Sequence, residues 1–391
     1  MKSISRREFL PIFGITIAAF IFNTSEFMPI GLLSDIAASF SVSQAKAGMI
    51  ISAYAWAVML LSLPLMIAAS RLPFRRLLLG TVGLFLLGQI LSAWSASYWM
   101  LMLARMAVAC AHAVFWSIAS PIAVRLAAPE HRAFALGMIV TGTSIAMIFG
   151  LPLGRIIGLA GGWRMTFVFV TVLAAVLLVY LAVVFPKLSD SQPFFLHELP
   201  AMLHNRQLLS IYLLACLIPT AYYTVYSYIE PFLHQVAGLS ANGITTILMI
   251  FGAAGLLGSL SFSKLYDRHR SLFLCGTTVG IALALLLLRL CAYHLPSIVL
   301  LCIFWGMCVT AFNVAFQSEV LQAAPESASA VAMSLFSGIF NLGIGLGTWI
   351  GGRVSDLCIL PAIGYVGGTL AILGAVYCAF RFVPLLKTKN R

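Results

Sequence analysis

Charged side chains are scarce in this chain: Asp, Glu, Lys and Arg make up 9% of 391 residues, and only 11 of them are acidic. So little polar surface cannot cover a core built from a composition that is 62% hydrophobic, which excludes an ordinary water-soluble domain. The cysteines, Cys110, Cys216, Cys275, Cys291, Cys302, Cys308, Cys358 and Cys378, include no Cys-x-x-Cys pair and fall within or at the edges of apolar runs. They read as small buried apolar residues rather than a disulfide or metal framework. Signatures of catalysis are missing too. There is no His-Glu-x-x-His, no Gly-x-Ser-x-Gly and no phosphate-binding glycine loop with its lysine, and His197-Glu198 lacks a second histidine. No enzyme activity, cofactor or metal is therefore expected.

What the chain has in abundance is apolar sequence long enough to cross a bilayer. A hydrocarbon core roughly 30 Å thick takes about 20 helical residues. Twelve runs meet that length: 9–33, 46–70, 77–96, 99–126, 134–159, 165–185, 207–233, 243–264, 271–293, 296–322, 330–354 and 359–384. Their length and their lack of period-two alternation favour helices over a barrel. The fold class expected is an all-α polytopic membrane protein with twelve transmembrane helices. The first run is too long for a cleaved signal peptide and carries Asn23 and Glu26 before a Pro29-Ile30-Gly31 exit, so it counts as span 1.

Basic residues set the orientation. Lys2, Arg6, Arg7, Arg71, Arg75, Arg76, Arg125, Arg132, Lys187, Arg206, Lys264, Arg268, Arg270, Arg381, Lys387, Lys389 and Arg391 all fall on one side of the twelve spans, which puts both termini in the cytoplasm. The formal charge of +12 is then topology plus attraction to anionic headgroups. Basic residues scattered among short loops speak against a nucleic-acid partner.

The chain also repeats itself. Ala128-Pro129-Glu130 before span 5 recurs as Ala324-Pro325-Glu326 before span 11, and Gly142 and Gly338 follow at the same distance, an offset of 196 residues. At that offset Arg71 aligns with Asp267. Motif, spacing and span count together imply two pseudo-symmetric halves of six helices: a bundle over 1–186, a cytoplasmic linker over 187–206 and a bundle over 207–391. Gly150, Gly154 and Gly158 lie along one face of span 5 with Pro152 among them, and Gly343, Gly347 and Gly351 along one face of span 11. Such rows let backbones approach, as static packing or as surfaces that rock.

Ionisable groups inside spans are costly enough to suggest function, and Glu26, Arg105 and His112 are such groups. On span 4, Arg105, Ala109, His112 and Trp116 share one helical face. Span 7 aligns Pro219, Tyr223, Tyr226 and Glu230; span 10 aligns Thr310, Asn313 and Gln317; span 11 aligns Ser334, Gly338 and Asn341. Four helices thus turn a polar or aromatic stripe inward. Glu26 lies roughly 6 Å past the midpoint of span 1 and Arg105 roughly 10 Å before that of span 4, so both fall in the outer half and can interact. Protonating Glu26 would release that contact. His112, near mid-membrane, can relay or sense the proton. A permanent ion pair at Glu26 and a neutral helix-to-helix hydrogen bond at His112 are the structural alternatives. Glu230 and Glu319, near helix ends, read as snorkelling to water or organising loops.

With these residues in view, the chain resembles the major facilitator superfamily over its full length, and within it the proton-coupled efflux branch. GTSIAMIFGLPLGRIIG, Gly142 through Gly158, is similar to the antiporter motif of span 5, with Arg155 where a second glycine is usual. Arg105 with Ala109 is similar to the motif whose arginine is tied to proton coupling. Ser70 through Arg76 keeps the paired basic residues Arg75 and Arg76 of the loop 2–3 gating motif but lacks its glycines and aspartate, and Asp267-Arg268 in the other half retains more of it. The segments AAFIFNTSEFMPIGLLSDIA, GWRMTF, YSYIEPF and LFSGIFNLGIG resemble bacterial sugar efflux transporters of the arabinose and isopropyl-thiogalactoside exporting type.

The resemblance implies spans 1, 4, 7 and 10 around a central cavity, alternating access, a monomer in the bacterial inner membrane, and protons and a small molecule as partners. A neutral sugar needs hydroxyl partners beside flat apolar surfaces. Asn23, His112, Trp116, Tyr223, Tyr226, Asn313, Gln317 and Asn341 would supply them, although each amide or tyrosine could instead bond a neighbouring helix. Glu26, Arg105 and His112 would couple the proton. A multidrug exporter, with Glu26 attracting lipophilic cations, and a non-transporting sensor or scaffold are the rival expectations.

Overall fold

The computed structural model describes residues 4–69, 72–186, 204–324, 329–357 and 359–389. Arg71, most of the linker (187–203), Pro325, Glu326 and Cys358 lie outside the described residues. The rest is almost wholly helical, because within a bilayer a backbone must satisfy its own hydrogen bonds. Among the described residues, twelve helical segments are long and apolar enough to cross it, the last of them running from Leu360 to Leu386. Their main helices are α1 (Arg6–Phe27), α2 (Gln44–Ala69), α3 (Phe74–Ala93), α4 (Tyr98–Leu126), α5 (Arg132–Gly161), α6 (Trp163–Val184), α7 (Arg206–Tyr226), α8 (Ala241–Leu265), α9 (Arg270–Cys291), α10 (Leu295–Ala323), α11 (Ser329–Asp356) and α12 (Ile363–Tyr377).

Local chemistry fixes the ends. Ser5 and Glu8 form a capping box at the start of α1, while Ser97 and Ser240 accept from Met100 and Gly243 at the starts of α4 and α8. Asn205 caps α7 through Gln207 N and Leu208 N, and its amide donates to Ala323 O at the end of α10. Gly162, at φ +84, makes the turn from α5 to α6 that a side chain would strain. Val176, Val179, Val183, Leu283, Leu287 and Leu290 are exposed on outer faces, an apolar exterior suited to lipid.

The repeat extends beyond the motif. After α1 comes a short helix, Leu33–Ser39, and after α7 another, Ile229–Gln235, displaced by the same 196 residues. Packing partners repeat as well: α1 against α5 corresponds to α7 against α11, and α3 against α6 to α9 against α12.

The chain forms two compact units, Met1–Ile36 with Leu60–Phe194, and Ala37–Met59 with Phe195–Arg391. In the first, a Cβ on Gly142 would stand 2.3 Å from Thr16 O, so α5 meets α1 backbone to backbone. In the second, a Cβ on Gly351 would stand 2.2 Å from Thr224 O, which brings α11 equally close to α7. The second unit includes the first part of α2. There Ser355 Oγ donates to Gln44 Oε1 at 3.4 Å, and Gly345 leaves room for the Trp56 indole.

Candidate functional site

The polar centre of the first unit starts from a proline. Pro29 has no N–H, so the Ser25 carbonyl, four residues earlier, loses its helical donor. The helix gives way to a 3-10 turn at Met28–Leu32, and Arg105 on α4 fills the vacancy. Its Nη2 donates to Ser25 O at 3.0 Å and its Nη1 to Ser25 Oγ at 3.0 Å, while Gln89 Nε2 on α3 donates to the same hydroxyl at 2.5 Å. Arg105 is 1% exposed and is covered by the Phe167 ring, whose centroid lies 5.9 Å from the guanidinium carbon. Three helices are tied at one serine.

Glu26 is the next residue. Its Oε2 stands 3.6 Å from His112 Nε2, with side chains 10% and 3% exposed. That distance suits an ion pair when the imidazole is protonated and is too long for a hydrogen bond. Phe22, one turn before Glu26, stacks between Phe85 at 4.1 Å and Phe115 at 4.4 Å, with the His112 ring 6.1 Å away. Trp116, half-buried, lies 6.1 Å beyond His112. In apolar surroundings a charge is costly unless paired, and the carboxylate and imidazole stand within ion-pair range of one another. The sequence made a Glu26–Arg105 interaction possible. The structure puts the Arg105 hydrogen bonds on Ser25, next to Glu26 and near enough for its charge to act on that carboxylate, and brings His112 to the carboxylate as well. Asn23 spends its amide between helices, on Ala19 O at 3.0 Å and Thr143 Oγ1 at 3.3 Å.

The second unit carries aromatic and amide groups. Tyr226 stacks on Phe251 of α8 with centroids 4.9 Å apart and meets Trp305 of α10 edge-on at 6.0 Å; Tyr223 lies 5.8 Å from it. On α10, Gln317 Nε2 donates to Asn313 Oδ1 one turn away, and both are half-buried. Asn341 donates to Ser337 O on its own helix at 3.0 Å. Its Oδ1 and the Trp305 Nε1 are buried and find no hydrogen-bonding partner among the described residues. Thr310 packs into the space left by Gly255 instead of joining this cluster.

Phe251, Trp305, Ser25 and Gln89 were not singled out from sequence. Ser25 had a signal, the missing donor at Pro29. Phe251 and Trp305 had none, because an aromatic residue in an apolar run looks the same whether it packs or binds.

At the loop between α8 and α9, Glu319 is fully buried and takes both forks of Arg270, at 2.6 Å and 2.5 Å, plus the Tyr266 hydroxyl at 2.5 Å. It organises the loop and does not snorkel. Glu230, 4% exposed, does not reach water either. Asp267 and Arg268 are exposed, and Arg270 and Tyr266 do the tying. In the other half Arg75 donates to Ala182 O at the end of α6 at 2.6 Å, and Arg76 is exposed. Gly150, Gly154 and Gly158 face Thr24, Met28 and Leu32 respectively, with Pro152 buried beside them. Arg155, 3% exposed in the same row, donates to Gly31 O at 2.5 Å.

The sequence matches the Major Facilitator Superfamily over residues 15–348. The chain belongs to this superfamily. Its fold is also that of a bacterial homolog to the human lysosomal transporter Spinster, in an inward-facing, unoccupied conformation. The TM-score is 0.73 at 17% identity, over 98% of this chain and 96% of that one. A structure of such a homolog in an inward-facing, occupied conformation gives 0.73 at 17% identity, over 100% and 98%. The chain is thus a multi-pass membrane transporter of the major facilitator fold, with its titratable pair on α1 and α4.

Proposed function

We propose that this transporter is a proton-coupled antiporter that exports sugars or sugar-like small molecules, such as arabinose or thiogalactosides, by alternating access. The observation that carries the reading is the Glu26–His112 pair, 3.6 Å apart, with the Phe22 and Trp116 rings each 6.1 Å from His112. At the 196-residue offset the corresponding positions are Tyr222 and Cys308, so the fold does not itself demand an ionisable pair there. The Asn313–Gln317 pair offers amide donors and acceptors to hydroxyls, and half-buried Tyr226, backed by Trp305, offers aromatic surface to C–H groups. Residues 1–186 and 207–391 serve as the two bundles, with 187–206 between them and both termini in the cytoplasm of a bacterial cell, the protein working as a monomer in the inner membrane.

The Tyr226, Phe251 and Trp305 rings favour one second reading, a multidrug exporter, because aromatic faces also hold organic cations. Uptake of labelled arabinose or a thiogalactoside into proteoliposomes, with and without an imposed pH gradient, tests both. Sugar uptake driven by the gradient in wild type, and lost in Glu26→Gln with binding retained, supports the antiport reading. Unchanged driven uptake in Glu26→Gln removes the pair from the mechanism. Flux of cationic dyes without sugar flux moves the assignment to drug efflux.

A further inference from the structure

A groove between the first turns of α7 and the end of α12 takes no part in the mechanism above. It has a volume of about 510 Å3 and is lined by Arg206, Leu209, Ser210, Tyr377, Phe380 and Arg381. Its floor is polar, with Tyr377 OH donating to Ser210 Oγ at 3.1 Å. Its rim is apolar and faces outward: Leu209 is 43% and Phe380 75% exposed, in line with the exposed Leu373 and Val376 further along α12. Both arginines are exposed, and among the described residues no acidic side chain lines the groove.

Two independent features set this place apart from ordinary membrane surface. After Tyr377, α12 widens into a π-helical turn over Cys378–Phe382, the turn that carries Phe380 and Arg381. Such turns are unfavourable and concentrate at functional positions. The internal repeat supplies the second. At the 196-residue offset the six residues named become Leu10, Phe13, Gly14, Leu181, Val184 and Phe185, all apolar or without a side chain. There Leu181 fills the space to within 2.6 Å of where a Cβ on Gly14 would sit. The fold packs this position with Leu181 and the Tyr180 ring in one half and lines it with two arginines and two hydroxyls in the other, so its chemistry is not a packing requirement.

We propose that the groove binds the phosphate headgroup of an anionic glycerophospholipid in the cytoplasmic leaflet. Arginine forks match phosphate oxygens, hydroxyls complete the shell, and acyl chains run along Leu209 and Phe380. Basic pockets between transmembrane helices on the cytoplasmic side suit such headgroups. The leaflet follows from the orientation proposed above, in which α7 starts and α12 ends at the cytoplasm.

Native mass spectrometry of the full-length protein, titrated with cardiolipin or phosphatidylglycerol and with phosphatidylcholine of matched chains, tests this. A saturable adduct with the anionic lipids, at least tenfold weaker with phosphatidylcholine, is expected. Arg206→Gln with Arg381→Gln weakens it about 30-fold, roughly fivefold per arginine. Lys264→Gln with Arg268→Gln, both exposed and outside the groove, changes it less than twofold. Leu209→Trp keeps both charges, fills the groove and also loses the lipid. Equal binding of phosphatidylcholine, an equal loss in the Lys264 and Arg268 pair, or full binding by Leu209→Trp overturns the proposal. So does displacement by excess inorganic phosphate, which would mark a site for soluble anions.

Discussion

Arg105 on α4 donates to the carbonyl of Ser25 on α1, at the place where Pro29 has removed the helical donor. The residue after that serine is Glu26, which faces His112 across 3.6 Å. The helix interruption, the carbonyl held by the buried cation and the carboxylate of the titratable pair therefore lie within about one turn of α1.

This arrangement predicts the effect of restoring the donor. Pro29→Ala supplies an N–H that competes with Arg105 for the Ser25 carbonyl. Thermal stability in detergent should hold or rise, while pH-driven transport in proteoliposomes falls at least tenfold. Undiminished driven transport would detach the break in α1 from the coupling.

His112→Gln keeps a hydrogen-bonding side chain of similar reach but cannot be protonated. Gradient-driven transport should drop tenfold or more, with substrate counterflow in the absence of a gradient largely kept. Loss of both to the same degree would assign His112 to substrate binding or folding instead.

Tyr266 lies in the loop between α8 and α9, where burial and then its bond to the Glu319 carboxylate push the hydroxyl up to about 12 from 10.0. The folded protein keeps that proton longer than the unfolded chain does. The stability it contributes is therefore full below pH 10 and lost as pH rises from 10 to 12. The tyrosinate absorbance of wild type minus Tyr266→Phe should titrate near pH 12, and Glu319→Gln should lower that midpoint. A component at pH 10 in that difference would contradict the buried network.

Glycines separate by their surroundings. Gly351→Ala would force a Cβ to within 2.2 Å of Thr224 O, so α11 must move off α7, at a cost of about 1–3 kcal/mol. Gly83→Ala meets nothing within 4 Å and removes a helix-interior glycine, so it should stabilise by about 0.5–1 kcal/mol. Thermal unfolding of both variants in one detergent gives the comparison, and a shift of the same sign in both would refute it.

Much of the architecture was legible in the chain. Twelve apolar runs specify twelve helices because a bilayer leaves the backbone no other partner, and an offset of 196 residues in three loop residues and a glycine reappears in the two short helices at Leu33 and Ile229. The shared face of Arg105, His112 and Trp116 followed from the helical period alone. Which groups meet did not. Helical period gives a direction around one axis and says nothing of the depth or rotation of its neighbour, so the tertiary structure alone decided that His112 faces Glu26, that Arg105 holds Ser25 and that Glu319 clamps Arg270. The aromatic box of Tyr226, Phe251 and Trp305 likewise comes from three different helices, and only their packing brings the rings together.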